Sequence, residues 1–299
     1  MRLLHLTDPH LSQLDDVKLS SLRGKRWSGY ASWYKNRQKK YLPAVLEHLC
    51  ASVKKEGADQ ILLTGDLLQI GLETEVAQAT RWLQALGPAE KVMLVPGNHD
   101  VYAKGSAAIT HQAWSEYLFQ GGHAGAGNES ASFPVLRKVG KLSLIALSTA
   151  VVTPVFMASG ELGAAQLERL SGLLEQAASE GQLTCLLIHH PPLPGMTNRR
   201  KALKDAAALE AVLKRHPPGL VFHGHLHHNR EYLWGDSRIY CTAAASSVSD
   251  ASYRVIDVDD LGDRWALRMV LKSVVVGPTG ELKFVVVDEQ SWQVPKSSG

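Results

Sequence analysis

An α/β fold is predicted for this 299-residue chain, and three observations predict it. Short apolar runs alternate with segments whose apolar residues recur at helical spacing, as in a sheet covered by helices. Apolar residues make up 45% of the chain, enough to bury a large core, so it reads as one domain with insertions. Several strand-like runs also end in polar clusters able to do chemistry, and open α/β sheets bind ligands outside the carboxyl ends of their strands.

In order, residues 2–7 read as a strand ending at Asp8-Pro9-His10, and residues 60–64 as a second ending at Gly65-Asp66. Between them Leu42, Val45, Leu46, Leu49 and Val53 mark a helix packed on the sheet. A helix carrying Val76, Ala79, Leu83 and Leu86 stops at Gly87-Pro88. The strand at 91–95 breaks at Pro96-Gly97 and opens Asn98-His99-Asp100. A helix with Trp114, Tyr117 and Leu118 leads to a glycine-rich loop, 121–127. Strands near 133–138 and 142–147 precede a helix with Leu167, Leu170, Leu173 and Leu174. The strand at 183–188 ends at His189-His190, and a helix through Leu209, Val212 and Leu213 follows. Residues 220–222 run into His223-Gly224-His225-Leu226-His227-His228. Residues 238–287 are β-rich with a hairpin turn at Gly277-Pro278-Thr279-Gly280. The domain is expected to span 1–290, with a flexible tail at 291–299.

Lys plus Arg exceed Asp plus Glu by 32 − 29 = 3, so overall charge says little about partners. Cys50, Cys185 and Cys241 form no CxxC and read as reduced thiols. No signal-peptide layout opens the chain, and the Asn128-Glu129-Ser130 sequon reads as chance. Residues 142–160 are uncharged, but Ser143, Ser148, Thr149, Thr153 and Pro154 make them a buried strand followed by an apolar loop rather than a membrane span. A cytoplasmic location is expected.

The strand-end clusters carry the chemistry. Asp8, His10, Asp66, Asn98, His189, His225 and His227 are candidate ligands, and mixed imidazole and carboxylate donors suit Mn, Fe, Zn or Co over Ca or Mg. Asp8 and His10, and likewise His225 and His227, are expected on one side of extended segments. Seven ligands exceed one ion and suit two that share a carboxylate. Two ions about 3.5–4 Å apart clamp a phosphoryl group for in-line attack. His99 is expected to face the reacting group, with Asp100 holding its imidazole. His5, His48, His111, His123 and His216 read as structural, whereas one of His190, His223 and His228 is expected to support a ligand or touch substrate.

Asp8-x-His10, Gly65-Asp66, Gly97-Asn98-His99-Asp100, His189-x-Pro191 and Gly224-His225-x-His227 resemble, in order, the motif set of the calcineurin-like metallophosphoesterases. The resemblance implies a four-layer α/β/β/α sandwich around a dinuclear centre. It implies one ion held by Asp8, His10 and His227, a second by Asn98, His189 and His225, and Asp66 between them. His99 would donate to a phosphate oxygen or the leaving group.

Residues 17–46 hold eight bases (Lys18, Arg23, Lys25, Arg26, Lys35, Arg37, Lys39 and Lys40) and no acid. Trp27, Tyr30, Trp33, Tyr34 and Tyr41 are interleaved, with Trp27, Tyr30 and Tyr34 on one helical face. Residues 17–41 therefore read as a basic aromatic helical insertion lying at a membrane interface, where each base adds about 1 kcal/mol near an anionic surface. A solvated helix packing its aromatics on the sheet is the alternative. No nucleic-acid partner is expected, because no other long basic run accompanies this one. The apolar loop 150–157, with Phe156, reads either as an acyl-chain groove or as packing under the insertion.

Lys25-Arg26-x-x-Gly29-Tyr30-x-x-Trp33 with Asn36-Arg37 resembles a bacterial branch of the family that acts on lipid head groups. That branch implies a manganese-dependent phospholipase C activity or UDP-2,3-diacylglucosamine pyrophosphatase. The expectation is phospholipase C-type cleavage of glycerophospholipids by an enzyme peripheral at the inner membrane face. Lys25, Arg26, Trp27, Tyr30, Trp33, Arg37, His190 and Phe156 are the expected substrate or membrane contacts. Cyclic-nucleotide hydrolysis and a non-catalytic scaffold on the same fold are the alternatives. The C-terminal strands, with Val274–Val276 and Phe284–Val287, offer an edge for a homo-oligomer.

Overall fold

The computed structural model describes residues 1–11, 14–119 and 133–296. The glycine-rich segment 121–127, the sequon, His123 and residues 297–299 lie outside the described residues.

The apolar runs form two six-stranded sheets. The first joins β1 (Arg2–Leu6), β2 (Gln60–Leu63), β3 (Val92–Leu94), β10 (Ser252–Asp260), β11 (Arg264–Val276) and β12 (Leu282–Pro295), in the order β12-β11-β10-β1-β2-β3. The second joins β4 (Val135–Val139), β5 (Leu142–Ala146), β6 (Leu183–Leu187), β7 (Leu220–His223), β8 (Arg230–Trp234) and β9 (Ser237–Cys241), in the order β4-β5-β6-β7-β9-β8. β1, β2 and β3 run parallel, as do β5, β6, β7 and β9.

Alternation along the strands of the second sheet separates its two faces. Leu144, Ala146, Cys185, Leu187, Phe222 and Tyr240 join the core shared with the first sheet. Ile145, Leu147, Leu186, Ile188, Val221 and Ile239 instead pack with Leu167, Leu170 and Leu174 of α7 (Ala164–Ser179) and Leu209, Val212 and Leu213 of α8 (Ala206–Arg215). On the first sheet lie α3 (Pro43–Lys55), through Leu46, Leu49 and Val53, and α4 (Glu73–Leu86), through Val76, Ala79, Leu83 and Leu86. Two sheets face to face with helices outside them make the α/β/β/α sandwich. Each fully buried Leu contributes about 1.5–3 kcal/mol.

The insertion is α1 (Lys25–Ser32), a π-helical stretch Trp33–Arg37 and the short α2 (Gln38–Lys40). Tyr30 and Tyr34, expected on one face, stack with ring centroids 6.4 Å apart. Trp33, expected at the membrane, is 1% exposed and packs with Leu14, Leu22, Ile70 and Tyr102. Tyr30 turns half-buried toward the same cluster, whereas Trp27 and Tyr34 point outward. Gly29 allows the close approach, since a Cβ there would overlap the Tyr102 ring and Ile70.

The segment after β3 carries α5 (Ser106–Ala113) and α6 (Ser115–Phe119). The expected flexible tail begins too early: residues 291–295 complete β12, with Trp292 opposite Leu267 and Val294 opposite Trp265. Alternating inward residues, Trp292 and Val294, sit against the core and keep this stretch in the sheet. Glu281 accepts the hairpin turn amide of Gly277 at its carbonyl (2.8 Å), as the turn signal predicts.

Candidate metal centre

The candidate ligands follow β1, β2, β3, β6 and β7, whose carboxyl ends meet at one edge of the sandwich. They do not stand on extended backbone, as strand alternation led us to expect. Asp8, His10, Asp66, His225 and His227 all adopt positive φ, between 42° and 67°. For residues with a Cβ this conformation costs on the order of 1–2 kcal/mol each. The turns are over-determined by hydrogen bonds: Asp8 N–H donates to Gly65 O (2.9 Å), His10 N–H to Asp66 O (3.1 Å) and Leu11 N–H to Leu67 O (2.9 Å). Left-handed turns, not alternation, aim the side chains at a common centre.

Each carboxylate is anchored through one oxygen. Asp8 Oδ2 accepts the Thr7 hydroxyl (2.7 Å) and the His225 amide (3.0 Å), which leaves Oδ1 2.9 Å from His227 Nε2. Asp66 Oδ1 accepts the His99 amide (2.7 Å), which leaves Oδ2 3.4 Å from His189 Nε2. A Cβ at Gly97 would overlap the Asp66 carboxylate, and one at Gly224 the Thr7 hydroxyl and Asp8 carboxylate. Both motif glycines are therefore required by close approach.

Two ligand groups result. Asp8, His10, Asp66 and His227 bring donor atoms within 4.8 Å of one another, and so do Asp66, His189 and His225, with Asp66 common to both. Asn98 Oδ1 joins the second group, 3.2 Å from His189 Nε2. The partners of the imidazoles fit metal binding. His10 Nδ1 donates to Leu68 O (3.1 Å) and His189 Nδ1 to Thr64 O (2.6 Å), so each ring in its neutral form carries its lone pair on Nε2. His10 Nε2 and His227 Nε2 face each other at 3.4 Å. His225 Nε2 is buried without a hydrogen-bond partner among the described residues, a cost that a coordinated cation removes. Two divalent ions fit this donor set.

Electrostatics agree. Burial alone would raise the Asp66 carboxyl, but the imidazoles of His189, His99 and His10 hold it well below its usual range. Burial opposes charge on His189, yet Asp66 lifts it to about 9. Burial drives His10 down to about 4, helped by His227.

Asp100 does not orient His99. Its Oδ2 accepts the amides of Asp66 (2.9 Å) and Gly97 (2.8 Å), and its Oδ1 those of Leu67 (2.9 Å) and Leu68 (3.1 Å). It staples the two ligand loops together, while burial and the charge of Asp66 push its carboxyl up to about 7. The Gln69 carbonyl instead accepts His99 Nδ1–H, and Tyr102 stacks on the ring at 5.3 Å. Gln69 carries no sequence signal for this role, because any residue could supply the backbone carbonyl that holds His99. Glu75 fixes that loop by accepting the amides of Gln69, Ile70 and Leu72.

The expected substrate contacts divide. Lys25 points inward: Nζ donates to Thr153 Oγ1 (2.7 Å) and Met157 O (3.1 Å) and sits 4.6 Å above the Tyr102 ring, where burial lowers it to about 8. Arg26 is spent on Ile70 O (3.2 Å) and Gly71 O (2.6 Å). His190 is fully buried with both ring nitrogens partnered, Nδ1 by Thr149 Oγ1 (2.7 Å) and Nε2 by Ala158 O (3.1 Å), so it fastens the 149–158 loop instead of meeting substrate. Arg37 reaches the centre, with Nη1 3.5 Å from Gln69 Oε1 and 3.4 Å from His99 Nδ1. Phe156 and Trp27 remain outside, 83% and 48% exposed. Of the other two histidines near the ligands, His223 is buried and donates from Nδ1 to Gly224 O, whereas His228 is half-buried.

Among solved structures, a dimetal phosphatase from Danio rerio superposes with a TM-score of 0.65 at 13% identity, covering 99% of each chain. Vps29 from Entamoeba histolytica, complexed with zinc, gives 0.45 at 14% identity over 96% of this chain and 99% of that one. Vps29 from Chaetomium thermophilum gives 0.44 at 10% identity over 99% of this chain and 98% of that one. No curated protein sequence matches the chain. The first similarity supports the fold, and the Vps29 values are too low to argue from. The family model for calcineurin-like phosphoesterases matches residues 1–229, a span that begins with β1 and ends just past His227 and so takes in every candidate ligand. This chain belongs to the calcineurin-like phosphoesterase family.

Proposed function

We propose that this metallophosphoesterase hydrolyses the head-group phosphodiester of membrane glycerophospholipids, with two manganese ions, at an anionic membrane face. The supporting observation is the exposed apolar loop beside the centre. Phe156, Val152 and Val155 are 83%, 52% and 42% exposed, and Lys25 ties their loop to Tyr102, the residue stacked on His99. An exposed apolar loop, tied through Lys25 to an insertion that also carries the exposed bases Arg23, Lys35, Lys39 and Lys40, suits a lipid surface better than a free nucleotide. Among the described residues no helix is long and apolar enough to cross a membrane, so the rim would act from the surface.

Asp8, His10 and His227 would hold one ion, Asn98, His189 and His225 the other, with Asp66 shared. When bound, the ions supply Lewis acidity and lower the pKa of water. Arg37 would bind an anionic phosphate oxygen. His99 Nδ1 is committed to the Gln69 carbonyl, so Nε2 is the nitrogen that exchanges a proton with the phosphoryl oxygen or leaving group.

Manganese-loaded enzyme should release diacylglycerol from phosphatidylcholine and phosphatidylglycerol vesicles. Cleavage of UDP-diacylglucosamine alone would move the substrate to a lipid pyrophosphate, and cleavage of cyclic AMP alone would remove the lipid reading.

A further inference from the structure

His10 and His189 each turn Nδ1 to a backbone carbonyl, which can only accept; the neutral ring is thereby held as the tautomer with its Nε2 lone pair toward the centre. His227 differs. Its Nδ1 lies 2.6 Å from Tyr41 Oη, a hydroxyl that can donate or accept. Two arrangements are therefore open to this ligand. In one, Tyr41 donates to Nδ1 and the Nε2–H donates to Asp8 Oδ1 at 2.9 Å, closing the position on itself. In the other, Nδ1–H donates to Tyr41 and the Nε2 lone pair is free for an ion.

Tyr41 is held firmly enough to make that choice matter. It is buried, its ring lies 4.9 Å from that of His10 and 5.6 Å edge-on to that of His227. It closes the insertion: its amide donates to Arg37 O (2.9 Å), and the flanking bonds Leu42 N–H to Ser246 O (2.9 Å) and Val248 N–H to Lys40 O (2.9 Å) stitch this end of the insertion to the 246–248 segment. The His227 side chain keeps 20% exposure, whereas that of His189 has none.

We infer that Tyr41 is a positioning residue for His227, through which the insertion sets the ion affinity of the Asp8–His10–His227 position while leaving the Asp66–Asn98–His189–His225 position alone. The inference rests on the two-ion reading of the centre. Partners of this kind are worth about 10–100-fold in metal affinity.

The test is calorimetric titration of chelator-stripped protein with Mn²⁺, without substrate. Wild type should bind two ions. Tyr41→Phe should weaken one about 10-fold or more and leave the other unchanged, while Trp27→Ala, exposed on the same insertion, should leave both unchanged. Equal weakening of both ions, or none, would overturn the inference. In a His227→Ala background Tyr41→Phe should have no further effect, and additive losses there would overturn it independently of any folding defect in one variant. Fewer than two ions in wild type would instead remove the two-ion reading itself.

Discussion

The two halves of the centre share Asp66 and are joined by the His225 N–H to Asp8 Oδ2 bond, but they differ in what holds their imidazoles. Asn98, His189 and His225 are buried; Thr64 O holds His189, and the Asp100 carboxylate holds the loops of Asp66 and Gly97. Asp8 and His10 are just as buried, but His227 is partly open and answers to Tyr41, a side chain from the insertion. The second position is thus part of the core, and its His225 Nε2, without a partner among the described residues, couples ion binding to stability. The first is assembled between core and insertion, which couples it to whatever the insertion touches.

The largest effect that could break this comparison is at the shared residue. Asp66→Ala should lose both ions and lower turnover of bis(p-nitrophenyl) phosphate by about 10³ or more, read from metal content and rate together; retention of one tightly bound ion would mean that the carboxylate serves one half only. His99→Ala should keep both ions while turnover falls about 10²–10⁴. Loss of metal in that variant would place His99 among the ligands.

Asp100→Ala should destabilise the protein by about 3 kcal/mol or more, because four buried backbone donors lose their acceptor. Urea midpoints check this, and a variant of normal stability with slow turnover would return Asp100 to orienting His99. A smaller effect concerns protons. His189, lifted to about 9, is cationic at pH 7 in the ion-free protein, so binding should release about one proton, seen by calorimetry in buffers of different ionisation enthalpy. The sign also fixes stability: a histidine raised by Asp66 stabilises fully below its unfolded pKa, and the contribution is lost as pH rises through about 9. The ion-free protein should therefore melt lower at pH 10 than at pH 6. The smallest effect is at the surface: Trp27→Ala with Phe156→Ala should slow hydrolysis of lipid in vesicles several-fold and spare bis(p-nitrophenyl) phosphate, and equal loss on both would detach the rim from lipid docking.

Much of this was legible in the sequence. The strand-end clusters name seven side chains that the structure gathers into two ligand groups, because a ligand just past a buried strand is placed by a local signal. The alternating apolar strands and helical-period segments likewise give the layers directly. What local pattern could not supply was decided by contacts between distant residues. The left-handed turns at Asp8 and His10 are held by hydrogen bonds to the loop of Gly65 and Asp66. Asp100 sits beside His99 in the chain yet bonds the amides of Asp66, Leu67 and Leu68. Trp33 turns inward because Leu14, Leu22, Ile70 and Tyr102, from three other segments, gather around it. Tyr41 and His227, 186 residues apart, meet only once both sheets and the insertion are in place. Chain neighbours can be read from spacing, but a hydrogen bond that closes across the whole fold has no local trace.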